Sequence, residues 1–367
     1  MDQALAWRMK RHLLDPIGDP QVTEVADRLC GVQAQVASSA ELAIRLRRAT
    51  SSTGEVGRAL AKGRLIKTWA MRGTIHLLTP EAGPAFLSLL ASGRSWERPS
   101  WQKYFGVSPK QIEEMRGATR DALSKDPLTR EELITAVTKV RGLKHAGDAL
   151  RSGWGTLLKP LAWHGDLCFG PTQGNRVTFT RPEIASPRWP GIPQPEEAAP
   201  VAILGYLAAH GPSTADAFGN WLAGGWFGKR QLKAWFAGLG DEVAAVEVGG
   251  DQAFVRTEDL DELAATKPTK ALRLLGGFDQ YVLAPGTGDS RVIPSKRRPL
   301  VSKQSGWISP VVVHGGVVAG TWELDESKVK VSWFSEAGRV PQRQLAGEVG
   351  RLGGILARSL DFTIERV

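Results

Sequence analysis

Apolar residues along this chain recur in two rhythms, and the rhythms take turns. Stretches with apolar positions three and four apart, as amphipathic helices require, give way to short stretches where apolar and polar residues alternate, as half-buried strands require. The plainest instance opens at Ser108-Pro109-Lys110-Gln111, where a serine with glutamine three residues on predicts a capped helix start. Thr129-Arg130-Glu131-Glu132 predicts a second capped start, for a helix through Val137. A third helix is expected from about Asp148 to Trp163. Residues 166–170 and 176–180 then read as strands around a Gly174-Asn175 turn.

The same order, helices and then a hairpin, recurs on both sides. In residues 1–80, helices are expected over Val22–Cys30 and from a capping box at Ser38-Ser39-Ala40-Glu41 through Arg48. A hairpin of Leu65–Met71 with Thr74–Leu78 follows, turning at Arg72-Gly73. Between Glu197 and Thr257, Ser213 heads a short helix and Lys229–Leu239 forms the next. Val243–Val248 then pairs with Gln252–Thr257. Helices followed by a hairpin describe a winged helix.

The proline-rich stretch Ser186–Pro200 reads as a linker, and a second break falls near Gly93–Pro109. Leu272–Trp333 reads as strands with glycine-rich turns. Leu345, Val349, Leu352, Leu356 and Leu360 give an amphipathic helix over Pro341–Leu360. The expected fold is α+β: winged-helix units at 1–95, 105–185 and 196–260, then a β-rich lobe at 268–367 with a terminal helix.

The formal net charge of +9 sharpens this picture because of where it sits. Residues 1–75 hold 12 Lys and Arg against 7 Asp and Glu, and residues 291–303 hold 5 basic residues and no acid. Two local basic segments suit a polyanion such as DNA. An arginine-rich composition with no functional meaning is the plain alternative. Cys30 and Cys168 are too few and too far apart for a disulfide framework or a metal cluster, and the six histidines are scattered. No nucleotide-binding glycine loop, HExxH or Gly-x-Ser-x-Gly elbow occurs, so neither cofactor nor metal is expected. The charged start and the lack of any apolar run near the roughly 18 residues of a membrane helix lead us to expect a cytoplasmic protein.

Gln33 and Gln35 fall between two expected helices. On extended backbone both amides would share a face, and the next helix start offers N–H groups to a phosphate, with Arg45, Arg47 and Arg48 further along. Glycosidic cleavage ordinarily takes a carboxylate pair. An N-alkylated purine departs as an already cationic base, so two amides that place a water and face the developing sugar cation suffice. Spacing alone leaves Gln-x-Gln equally readable as a polar loop. The run 291–303 looks like a hairpin whose tip, Lys296, Arg297 and Arg298, grips a groove or phosphates; a solvated loop is the alternative. Arg72, at the first hairpin's turn, is a further DNA contact candidate.

The segments LCGVQAQVASSAELAIRLR, TWAMRGTIHLL, GDLCFGPTQGNRVTFTR, LLGGFDQYVLAP and GWISPVVVHGGVVAGTWEL, in that order, resemble the AlkZ/YcaQ family of winged-helix DNA glycosylases. The resemblance implies three tandem winged helices, a β-rich lobe and monofunctional removal of N-alkylpurines, bulky adducts and interstrand crosslinks included. It implies that Gln33 and Gln35 form the catalytic Gln-x-Gln of the azinomycin self-resistance branch, and that Lys296, Arg297 and Arg298 belong to a DNA-probing hairpin. The implied partner is double-stranded DNA with alkylated purines. A monomer without an obligate protein partner is expected. A non-catalytic winged-helix regulator or damage sensor is the alternative.

Overall fold

Each of three helical runs ends in a hairpin. The computed structural model describes residues 2–152 and 155–367. The first run holds α1 (Asp2–Arg11), α2 (Val22–Arg28), β1 (Val32–Gln33), α3 (Ala37–Arg45) and α4 (Glu55–Ala61), then hairpin β2 (Ile66–Trp69) and β3 (Ile75–Leu78), and α5 (Gly83–Ser92). The second holds α6 (Pro99–Phe105), α7 (Pro109–Ala122), β4 (Leu128–Thr129), α8 (Arg130–Thr138), α9 (Gly147–Arg151) and α10 (Leu158–Trp163), then β5 (Cys168–Phe169) and β6 (Thr178–Thr180). After α11 (Pro182–Ala185), the third holds α12 (Pro195–His210), α13 (Ala215–Ala223) and α14 (Lys229–Ala237), then β7 (Val243–Val248) and β8 (Asp251–Arg256). The C-terminal part runs α15 (Leu260–Ala265), β9 (Leu272–Leu275), α16 (Gln280–Leu283), α17 (Arg298–Val301), β10 (Val311–His314), β11 (Val317–Asp325), β12 (Lys328–Trp333), α18 (Gln342–Leu356) and β13 (Asp361–Arg366). The fold is mixed α+β. Among the described residues, no helix is long and apolar enough to cross a membrane.

Local chemistry explains the well-placed helix starts. Ser108 and Gln111 exchange side-chain and backbone hydrogen bonds, as do Thr129 and Glu132, so α7 and α8 begin at the expected capping boxes. The Ser38 box does not form. α3 starts at Ala37 behind an uncapped Val36, and the Glu41 carboxylate instead accepts the Gly54 amide at 2.9 Å. The single helix expected over 148–163 is two, α9 and α10; Gly155 lies between them at φ +61°, and Gly153-Trp154 lie outside the described residues. The proline-rich 186–200 is half helix: α12 begins at Pro195 and carries Pro200 inside its first turns.

Packing joins what the sequence rhythm divides. The first two hairpins merge into one sheet, β1-β3-β2-β5-β6-β4, through Lys67 opposite Phe169. One core runs from Phe86 and Leu89 of α5 through Leu161 of α10 to Tyr206 and Trp221 of α12 and α13. The C-terminal sheet, ordered β13-β12-β11-β10-β9, is covered on both faces. Val311 and Val313 pack with Leu5 and Met9 of α1, while Val312 packs with Leu345, Val349 and Leu352 of α18. The first helix of the chain thus rests on its last sheet.

Candidate active site

The site is built around β1. Val32 pairs with Leu77 and Gln33 with His76, and the Ala34 amide donates to the Ile75 carbonyl at 2.7 Å. Residues 32–35 are therefore extended along the edge of β3. Val32 and Ala34 enter the core, and Gln33 and Gln35 share the other face. Gly31 permits this close approach: it sits at φ +105°, and a Cβ there would lie 2.6 Å from Leu78. Gln33 is 7% exposed, and its Oε1 is buried without a hydrogen-bond partner among the described residues. Leaving such an acceptor unmet costs about 1–3 kcal/mol, an expense that functional sites commonly carry. Gln35 is exposed, and its Oε1 accepts the Ile75 amide at 3.5 Å.

Gln33 lines a cleft of about 410 Å³. Arg72 and Thr74 come from the β2–β3 turn, Asn220 and Trp221 from α13, and Thr287 and Ser302 from the C-terminal part. None of the described lining residues carries a carboxylate, and Gln35 lies outside the lining. Arg72 occupies its turn at φ +55°; its Nη1 donates to the Trp221 carbonyl at 3.2 Å, and its Nη2 has no partner among the described residues. Burial lowers its pKa to about 10, so the guanidinium stays charged at neutral pH. His76, opposite Gln33, donates from Nδ1 to the Thr74 carbonyl at 3.0 Å. Burial, and then the Arg72 charge, push its pKa down to about 3, which leaves it neutral.

The other basic candidates divide. Arg45 and Arg48, expected to meet DNA, are buried and turned inward. Arg45 donates to Ser51 and Thr53, while Arg48 donates to the Pro20 carbonyl and pairs with Glu55. Arg45 finds acceptors in the loop after α3 and Arg48 at Pro20 and at the start of α4, which removes both heads from an open surface. The expected hairpin at 291–303 is not one: Ser295–Arg297 is a 3-10 turn leading into α17, because Pro294 and Pro299 cannot donate to a strand ladder. Arg297 is committed to Glu336 by two bonds of 2.8 Å and lies over Phe334. Lys296 and Arg298 remain exposed. Asn220, Trp221, Thr287 and Ser302 were not foreseen. They lie nearly 200 residues or more beyond Gln33, and no local spacing marks them.

The fold is that of a DNA glycosylase. The chain matches the solved structure of the Streptomyces sahachiroi DNA glycosylase AlkZ with a TM-score of 0.95 and 45% identity, covering 99% of both chains. A curated relative from the same organism, the "Interstrand DNA cross-link repair glycosylase", is 47% identical over 358 residues, 96% of each chain. The family model described as DNA glycosylase AlkZ-like matches residues 26–355, and the chain belongs to that family.

Proposed function

We propose that this glycosylase hydrolyses the N-glycosidic bond of N-alkylated purines, N7-alkylguanines, bulky adducts and interstrand crosslinks among them, with Gln33 and Gln35 as its catalytic residues. The observation that carries the reading is the buried, unpartnered Oε1 of Gln33 in a cleft lined by no described carboxylate. The relative named as a crosslink repair glycosylase supports the substrate class.

The chemistry suits amides. Alkylation at N7 makes the purine a cation, so the C1′–N9 bond breaks with its electron pair moving to N9, and the base leaves neutral without an acid. A water oxygen bonds to C1′, and its proton passes to solvent. Gln33 Oε1 accepts from that water and turns a negative dipole towards the sugar cation; Gln35 borders the same face. No amine is required, and the product is an abasic site.

DNA would run from this face over Arg72 to the exposed Lys296 and Arg298, with the uncapped start of α3 next to Gln35 as a phosphate seat. The three helix–hairpin runs would act as winged helices at about 1–95, 105–185 and 196–260, with the lobe from 268, in a cytoplasmic monomer. The test is incubation with DNA carrying N7-alkylguanine, then alkaline cleavage and detection of free base. Wild type is expected to release base and a Gln33→Ala/Gln35→Ala variant to stay near background. Equal background release by both, with operator-like DNA binding, would make the chain a regulator instead.

A further inference from the structure

The C-terminal wall of the Gln33 cleft carries an exposed loop. Ser302 and Ile308 line the cleft and pair across the base of this loop, and the Lys303 amide donates to the Trp307 carbonyl at 2.8 Å. Residues 303–307 are all exposed. Two consecutive left-handed residues make the turn, Ser305 at φ +57° and Gly306 at φ +75°. Gly306 and Ile308 line the cleft, and the extended Trp307 between them turns its ring aside, onto Phe278. On extended backbone a side chain points away from those of its neighbours. The indole therefore stands at the rim of the cleft and not inside it.

This ring is exposed and yet fixed. Trp307 is 50% exposed, and its ring meets that of the buried Phe278 edge-on, with 5.0 Å between centroids and 78° between planes. Phe278 holds φ +61°, a left-handed conformation that is strained for a bulky residue and persists only where its surroundings impose it. Those surroundings are a core that also holds Ile308, and Val36, the residue after Gln35, packs against the same core. Basic groups share the rim. Lys303 is exposed, and Arg298 donates from Nε to Oγ1 of the cleft-lining Thr287 at 3.4 Å. A lone exposed aromatic is common on protein surfaces. One held rigid at the mouth of a cleft, with cations beside it, matches a base stack flanked by phosphates.

We propose that Trp307 is a wedge: its indole stacks on the base pair next to the alkylated purine and holds that step open, while Lys303 and Arg298 meet the flanking phosphates. This rests on the proposed assignment of the Gln33 cleft. It adds a substrate-contacting residue that responds to stacking around the lesion and not to the alkyl group. Opening a base step is unfavourable, and the new contact with the indole offsets it. A lesion flanked by mismatched pairs has less stacking to lose, so it needs the wedge less.

The test measures release of N7-methylguanine from two duplexes, one fully paired and one with the pairs on both sides of the lesion mismatched. Rates are taken under single-turnover conditions with enzyme below saturation, where they report binding and cleavage together. Trp307→Ala is expected to slow release from the paired duplex at least about tenfold, near the lower end of the loss when one base–aromatic stack is removed. On the mismatched duplex the slowing is expected to shrink to about threefold or less, which also reports that the variant is folded. Trp307→Phe keeps a stacking face and is expected to stay within about threefold of wild type on both. Equal slowing on the two duplexes by Trp307→Ala, or no slowing on either, overturns the wedge, as does a Trp307→Phe variant as slow as Trp307→Ala. A wild type that releases base from neither duplex faster than the Gln33→Ala/Gln35→Ala variant would instead sink the cleft assignment, and the wedge with it.

Discussion

Gln33 and His76 face each other across the β1–β3 ladder, and both present acceptors that nothing in the described structure fills. Burial, and then the Arg72 charge, keep the imidazole neutral. The spacing of Gln33 and Gln35 was readable from the sequence, as was their shared face on extended backbone. The burial of Gln33 was not, because β1 is two residues long and exists only where β3 comes alongside. Arg45 and Arg48 teach the opposite lesson: a run of basic residues counts charge without locating it, and acceptors such as Glu55 turned these heads inward.

At the scale of elements, α3 is tied to the C-terminal part by a buried pair. Arg47 donates to Asp279 at 2.7 and 2.8 Å, and to the carbonyls of His12 and Ala43, while Asp279 also caps α16. Both side chains are fully buried. Arg47→Ala would leave a carboxylate without its partner in the interior, and a loss of about 3–5 kcal/mol in urea unfolding is expected. A loss under about 1 kcal/mol would contradict this role. The capping boxes at Ser108 and Thr129 were legible because each works through four consecutive residues. β13 was not, because its partner β12 lies across α18 and only packing brings Lys328 beside Asp361. Nor was the turn at 295–297, where strand-like flanks such as Val292, Ile293 and Val301 are buried in a core without forming a ladder. Lys296 and Arg298 remain exposed, and the proposed DNA path runs over them. Replacing both with Gln is expected to lower the log–log salt slope of DNA binding by about two; an unchanged slope would remove them from the interface.

Over the whole molecule, the buried histidines set the response to acid. His12 Nε2 and His210 Nδ1 meet at 3.0 Å between α1 and α12, and burial holds both rings neutral, His210 with a pKa of about 3 and His12 well below the usual range. Unfolded histidines take up protons near pH 6.5, so on acidification the unfolded state binds more protons than the folded one. Stability from these rings is full above about pH 6.5 and is lost progressively towards pH 3. Melting temperature is expected to fall between pH 6.5 and 5, before ordinary carboxylates titrate, and a flat profile there would contradict it. The overall α+β order was legible from alternating rhythms. The cleft was not, since its walls come from the first hairpin, α13 and the C-terminal part, and only the assembled core brings them together.

The most direct measurement is the single-turnover rate of free-base release from DNA carrying one N7-alkylguanine, by wild type and the Gln33→Ala/Gln35→Ala variant, with DNA affinity measured on the same preparations. A fall of about 100-fold or more, at affinity changed by less than a few-fold, is the expected result. Equal release rates at equal affinity would show that the two amides do not catalyse the reaction.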